Sequence, residues 1–124
     1  MTQYQGKCQC GHIRYRADAQ PSDPHFCHCH MCQRLSGAPL INWVTFPLSS
    51  FQFEQATPKF YRSSARTRRG FCPECGSQIC AIDDGDDCIY ITVTTLDDKQ
   101  NACFAPEFES FEESSPPWMQ ARGK

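Results

Sequence analysis

The stretch FCHCHMCQRLSGAP, residues 26–39, packs Cys27, Cys29 and Cys32 into six residues, with His28 and His30 between them. Three thiolates are one short of a tetrahedral zinc shell, so its reading turns on whether the protein supplies a fourth ligand or leaves that place for chemistry. Two further close pairs lie on either side of it. Cys8 and Cys10 stand two apart, and Cys72 and Cys75, in FCPECGS, stand three apart. Close pairs suit a metal, because one ion can take two ligands from a single turn. Pro73 and Gly76 fit a tight knuckle with backbone N–H groups aimed at the sulfurs. Together Cys8, Cys10, Cys72 and Cys75 would close a structural shell and pin the N-terminal strand to the middle of the chain. Binding at such a site is worth roughly 10–16 kcal/mol, against a typical domain stability of about 5–15 kcal/mol, so the ion could decide whether the chain folds.

The rest of the composition narrows the choices. With 124 residues the expectation is one domain spanning 1–124, with an irregular C-terminal arm from about residue 104. The formal net charge of −2 points to neither nucleic acid nor membrane. No apolar run approaches the roughly 20 residues of a transmembrane helix. The opening MTQYQGKCQC lacks the apolar core of a secretory signal, so the expected location is cytoplasmic. Ten cysteines could also mean a secreted disulfide scaffold, but the close spacings and the missing signal favour metal.

The hydrophobic pattern predicts a mainly β fold. Ile13, Tyr15 and Ala17 alternate with His12, Arg14 and Arg16, the period-2 signature of a half-buried strand. LINWVTF at 40–46 reads as a buried strand, and 51–54 and 59–63 as short ones. Residues 77–82 and 88–95 flank the acidic loop 83–87 and read as a hairpin, with Ile89, Ile91 and Val93 sharing one face. A short helical turn is expected around Met31–Leu35, ended by Ser36-Gly37. The arm is expected to be packed by Phe108, Phe111 and Trp118, with a loose end after Met119.

Ligand type suggests the chemistry of Cys27, Cys29 and Cys32. Three thiolates leave a Zn²⁺ centre at a charge of about −1. Such a centre activates water poorly but holds an incoming thiol as a nucleophilic thiolate, which predicts sulfur chemistry. Soft ligands favour zinc over magnesium or calcium. Alternatively, His28, His30, Cys80, Cys88 or Cys103 closes the shell. Cys80, Cys88 and Cys103 read more simply as small buried hydrophobes. His28, between two ligands, should point away from the metal.

With both clusters placed, the sequence resembles the glutathione-dependent formaldehyde-activating enzyme family, which includes the centromere protein V domain. The segments that carry the resemblance are GKCQCGHIRY at 6–15, FCHCHMCQRLSGAP at 26–39, FYRSS at 60–64 and RGFCPECGSQI at 69–79, within about Gln5 to Leu96. It implies a small zinc-scaffolded β fold similar to methionine sulfoxide reductase B and a Rab-binding zinc chaperone. Two Zn²⁺ ions per chain are implied, a structural one on Cys8, Cys10, Cys72 and Cys75 and a catalytic one on Cys27, Cys29 and Cys32. The implied activity is that of a carbon–sulfur lyase joining glutathione to formaldehyde. The arm departs from the pattern: Phe111 stands roughly where the family carries a His, while Ser115 and Trp118 fit its Ser before Pro-Trp.

Other residues bear on the substrate. Lys59, Arg62, Arg66, Arg68 and Arg69 form a basic cluster, which reads as a carboxylate site for glutathione, a nucleic-acid patch or a solvated strand face. Arg34, Ser36, Arg68 and Arg69 are the substrate-binding candidates; Gln33 and Ser36 could equally cap the turn. Trp43 is expected in the core. Three functions compete: a zinc lyase adding a small thiol to an aldehyde, a binding module with two structural zincs, and a reductase using one of the spare cysteines.

Overall fold

The structure, a computed structural model, describes residues 3–121. It is mainly β, as expected, with ten strands and one short α-helix among the described residues. In chain order the strands are β1 (Tyr4–Lys7), β2 (Arg14–Ala17), β3 (Ser22–Cys27), β4 (Ile41–Pro47), β5 (Phe51–Phe53), β6 (Lys59–Arg62), β7 (Thr67–Phe71), β8 (Gln78–Asp83), β9 (Cys88–Thr92) and β10 (Phe108–Ser110). The helix, α1, is His30–Ser36 and ends at Gly37, whose φ of 69° is the left-handed conformation a helix C-cap needs.

Two sheets form. The smaller has the order β1-β2-β5 and the larger β10-β3-β4-β9-β8-β7-β6, antiparallel throughout except for β10 beside β3. Strict alternation along the central strands sorts side chains between two faces. Val44, Phe46, Cys80, Ile82, Ile89 and Ile91 face inward and pack with Tyr4, Ile13, Tyr15 and Leu96 in the main core. The intervening Trp43, Thr45, Ala81, Asp83 and Tyr90 face the opposite way and line a cavity. Ile89 and Ile91 share the inner face as the period-2 reading required, while Val93 lies in a 3-10 turn after the strand.

The arm differs from expectation. Phe108, Phe111 and Trp118 are exposed, and Phe104 is the arm's buried aromatic. Backbone pairing holds the arm instead: β10 lies parallel to β3, with Ser110 opposite Cys27. The Glu109 carboxylate meets Nε2 of buried His28 at 2.6 Å, and Gln33 Nε2 donates to the Ser114 carbonyl at 2.9 Å. A chain end anchored this way does not need its aromatics buried. The end expected to be loose lies partly outside the described residues, which stop at 121.

The chain packs closely at Gly6, against β2 and the turn after β9. A Cβ there would lie 2.3 Å from the Tyr15 ring and 2.6 Å from the Thr95 carbonyl oxygen. Tyr15 is fixed by a 2.6 Å hydrogen bond to Thr95, so it has no room to retreat. Gly6→Ala is therefore expected to cost about 1–3 kcal/mol, read as a lower urea midpoint with an unchanged slope. A midpoint equal to the parent's would refute this packing.

Candidate metal centres and the cavity beside them

The first centre joins two turns that are far apart in sequence. Cys8 and Cys10 lie in the β1–β2 connection, and Cys72 and Cys75 in the β7–β8 turn. Their sulfurs all lie within 4.8 Å of one another. Cys8–Cys10 is 3.7 Å and Cys10–Cys72 is 3.8 Å, close to the edge of about 3.8 Å that four sulfurs about 2.3 Å from one ion would make. Both turns bend through left-handed glycines, Gly11 (φ 83°) and Gly76 (φ 81°). The sulfurs receive neutral donors. Ile13 N–H reaches Cys8 Sγ at 3.3 Å, and the N–H groups of Glu74 and Cys75 reach Cys72 Sγ at 3.3 and 3.4 Å. This is the knuckle the Pro73–Gly76 segment predicted. The Ser77 hydroxyl lies 3.1 Å from Cys75 Sγ and, with backbone donors, holds that thiol down to about 5.

The second centre is local. Cys27 ends β3, Cys29 is the N-cap of α1, and Cys32 sits in its first turn with its N–H 3.2 Å from Cys29 Sγ. A sulfur here takes the part that a Ser or Asp oxygen usually plays at a helix start. The three sulfurs also lie within 4.8 Å of one another, with Cys27 and Cys32 3.4 Å apart. Hydrogen bonding from Cys27 lowers the Cys32 thiol to about 5, with help from Cys29 and the guanidinium of Arg69 and against the effect of burial; the Cys27 thiol is pushed up in turn. All ten cysteines are free. Either cluster could hold a metal ion on soft sulfur donors.

The candidates for a fourth ligand lie elsewhere. His28 turns away from the cluster to Glu109, as strand alternation required. His30 is exposed at the start of α1. Cys80 is buried in the main core beside Gly70, where burial pushes its thiol up to about 12. Cys103, expected to be buried, is exposed and lies 3.6 Å from the Tyr4 hydroxyl, and Cys88, at the start of β9, is only half-buried; neither joins the cluster. Among the described residues the cluster therefore has three members.

Beside it opens a cavity of about 390 Å³, within the range of small-ligand sites. Cys27, Cys29 and Cys32 form one wall, and Trp43, Tyr90, Phe108, Phe111 and His25 form much of the rest. Trp43, expected in the core, is buried but faces this space. Phe111 is in the left-handed region (φ 57°), uncommon for a bulky side chain, and lines the cavity. His25 stacks on Phe108 at 4.6 Å.

The four substrate-binding candidates separate. Arg69 lines the cavity and is 7% exposed. Arg68 points to the other face of β7, where it lies over the Phe60 ring and 3.8 Å from Asp84. Ser36 bonds the Cys32 carbonyl at 2.7 Å, closing the helix, and Arg34 is exposed on α1. Lys59, Arg62, Arg66 and Arg68 are not among the cavity's lining residues. Arg62 forks onto Asp84, the closer contact 2.9 Å, and holds that carboxyl below its usual range. Sequence reasoning missed Asp23, His25, Thr45, Thr67, Asp83 and Tyr90 as lining residues. The outward positions of the alternating strands were the available signal.

The profile of the glutathione-dependent formaldehyde-activating enzyme family matches residues 3–114. The chain belongs to that family. The match runs past Leu96 through β10 and Phe111, so the part of the arm that closes the cavity falls inside the family region. A Rhodobacter sphaeroides protein of known crystal structure is similar in fold, with a TM-score of 0.69 over 86% of this chain and 99% of that one. Its 17% identity makes this a likeness of fold alone. No curated protein matches the chain. No helix among the described residues is long and apolar enough to cross a membrane.

The two centres are expected to differ in their weight for folding. The first ties together turns from both sheets, whereas the second closes only a six-residue segment, and the entropy recovered grows with the loop closed. Cys72→Ser should lose one metal ion and at least about 10 °C in Tm, and Cys29→Ser one ion and only a few degrees. Elemental analysis with calorimetry checks this; equal losses of Tm would contradict the assignment.

Proposed function

We propose that this protein is a zinc-dependent carbon–sulfur lyase that adds a small thiol to an aldehyde, with glutathione and formaldehyde as the pair the family implies. The observation that carries the reading is that three sulfurs, on Cys27, Cys29 and Cys32, stand together in the wall of a ligand-sized cavity. The other cluster, with four sulfurs, suits a closed structural site. Zinc held by the three cysteines would supply a place where a thiol binds as thiolate and stays nucleophilic.

The chain's own residues define the rest. Cys27, Cys29 and Cys32 are the ligands, fixed by β3, α1 and the Cys29 cap. Trp43, Tyr90, Phe108 and Phe111 provide an apolar wall that limits water around the reacting carbon. In the reaction the thiolate sulfur forms a bond to the carbonyl carbon. The π pair moves to oxygen, which takes up the proton the thiol released, giving the hydroxymethyl thioether. The Arg69 cation is the group nearest the cluster that can attract an anionic substrate. Asp23 and Asp83 are the other charged lining residues, so the recognition of two carboxylates by a row of arginines is replaced by one cation in an aromatic pocket.

The test uses cobalt in place of zinc, because its sulfur charge-transfer band grows with each added thiolate. Adding glutathione to the cobalt protein is expected to raise that band saturably. Cys29→Ala, folded by circular dichroism, is expected to lose the rise. Unchanged thiol affinity in folded Cys29→Ala would remove the lyase reading and leave a zinc-scaffolded binding module.

A further inference from the structure

Arg69 is a buried cation whose partner is sulfur. Both terminal nitrogens of its guanidinium donate to Cys32 Sγ, each at 3.6 Å. The group also lies over the Trp43 ring at 5.7 Å. Among the described residues it forms no ion pair with a carboxylate, whereas Arg16, Arg62 and Arg68, all more open to solvent, do. A buried charge is sustained only by an opposing one, so the thiolate cluster is its counter-ion.

The sheet register shows how Arg69 reaches its place. Thr45, Tyr90, Ala81 and Arg69 form one cross-strand row over β4, β9, β8 and β7. Ala81 is the small member, directly opposite Arg69, and leaves space for the longer side chain to lie across the sheet toward β4 and α1. Neighbouring Arg68 points to the opposite face, so one residue of the basic run is delivered to the sulfurs.

The two cysteine clusters differ in this respect. Sulfurs of the four-cysteine cluster receive backbone N–H groups and the Ser77 hydroxyl, which are neutral. The three-cysteine cluster receives a full positive charge. A divalent ion on three thiolates carries about −1, and a fourth thiolate would bring it to about −2. The guanidinium offsets that last charge. Hydrogen bonds to Cys32 also draw electron density from its sulfur, so the ion binds another donor more strongly.

We propose that Arg69 is a positioning residue for the fourth ligand of the three-cysteine centre: acting through Cys32, its fixed charge makes that place select anionic ligands, thiolates included, over neutral ones. This rests on the reading that the centre holds a divalent metal with a fourth place for an outside ligand. Lysine keeps the charge but not the two-pronged contact, so the roles of charge and geometry can be separated.

The experiment uses the full chain with cobalt in both centres and three probes: azide, 2-mercaptoethanol and imidazole. Arg69→Gln and Arg69→Met remove the charge while keeping much of the length. Both are expected to weaken azide and thiol binding by at least about tenfold, with imidazole affinity held within about twofold. Their sulfur-to-cobalt band should move to longer wavelength, because Cys32 loses its two donors. Arg69→Lys should recover most of the anion affinity. A purely structural role would instead affect all three probes alike, without rescue by lysine. The proposal is overturned if either neutral variant, folded and metal-loaded, keeps the parent's ratio of azide to imidazole affinity. A parent protein that takes azide but no thiol removes the lyase reading and leaves Arg69 its role. If the parent takes thiol and the neutral variants take it equally well, the lyase reading stands and the role of Arg69 is lost. A parent spectrum that responds to none of the probes overturns both.

Discussion

Seven sulfurs gathered into two knots would bind a metal as thiolates, and the fold around each knot supplies donors that face them. At Cys8, Cys10, Cys72 and Cys75 the task falls to two tight turns, whose left-handed glycines let backbone N–H groups converge on sulfur. At Cys27, Cys29 and Cys32 it falls to a helix cap and a buried guanidinium. The knots belong to separate hydrophobic clusters. Cys8 and Cys72 sit in the main core between the sheets, whereas Cys27 and Cys32 pack with Ile41, Trp43 and Ala81 on the opposite face of the larger sheet. The sheet's two faces, sorted by strand alternation, keep the clusters apart, so one centre can tie turns of both sheets together while the other faces a cavity.

The cavity is built largely on strands, which fixes the positions of its lining side chains. Its floor is the outward face of β4, β8 and β9, and one edge is closed by the C-terminal arm. The arm is clamped by β10 on β3, by Glu109 on His28 and by Gln33 on Ser114. His28 stands between two of the sulfurs, so the arm and the cluster share one short segment of backbone. Phe111, roughly where the family resemblance leads one to expect a histidine, lines the cavity itself.

Much of this was legible in the sequence because it is local. A Cys-x-x-Cys turn sets its own backbone, and alternation along LINWVTF or CIYIT reports which side chains lie inward whatever the strand's neighbours. Other strands, β3 and β10 among them, were not legible. SDPHFC contains a proline and a bulge around Asp23 and forms between β4 and β10, and FES is too short to show a period and forms because β3 offers it an edge. The exposed aromatics of the arm show the same limit. Hydrophobicity argued for burying Phe108, Phe111 and Trp118, but pairing and polar contacts had already fixed the backbone.

From its own residues the sequence determined the two sulfur clusters, the short helix between Cys29 and Gly37, the inward faces of the central strands and the family. Tertiary structure alone decided which arginine of the basic run meets the thiolates. Arg68 and Arg69 are adjacent and chemically identical, and a one-residue change of register would exchange their faces. Pairing of β7 with β8 set Arg69 opposite Ala81 and turned it toward Cys32, because only there does a small side chain leave a buried guanidinium room to reach the charge that balances it.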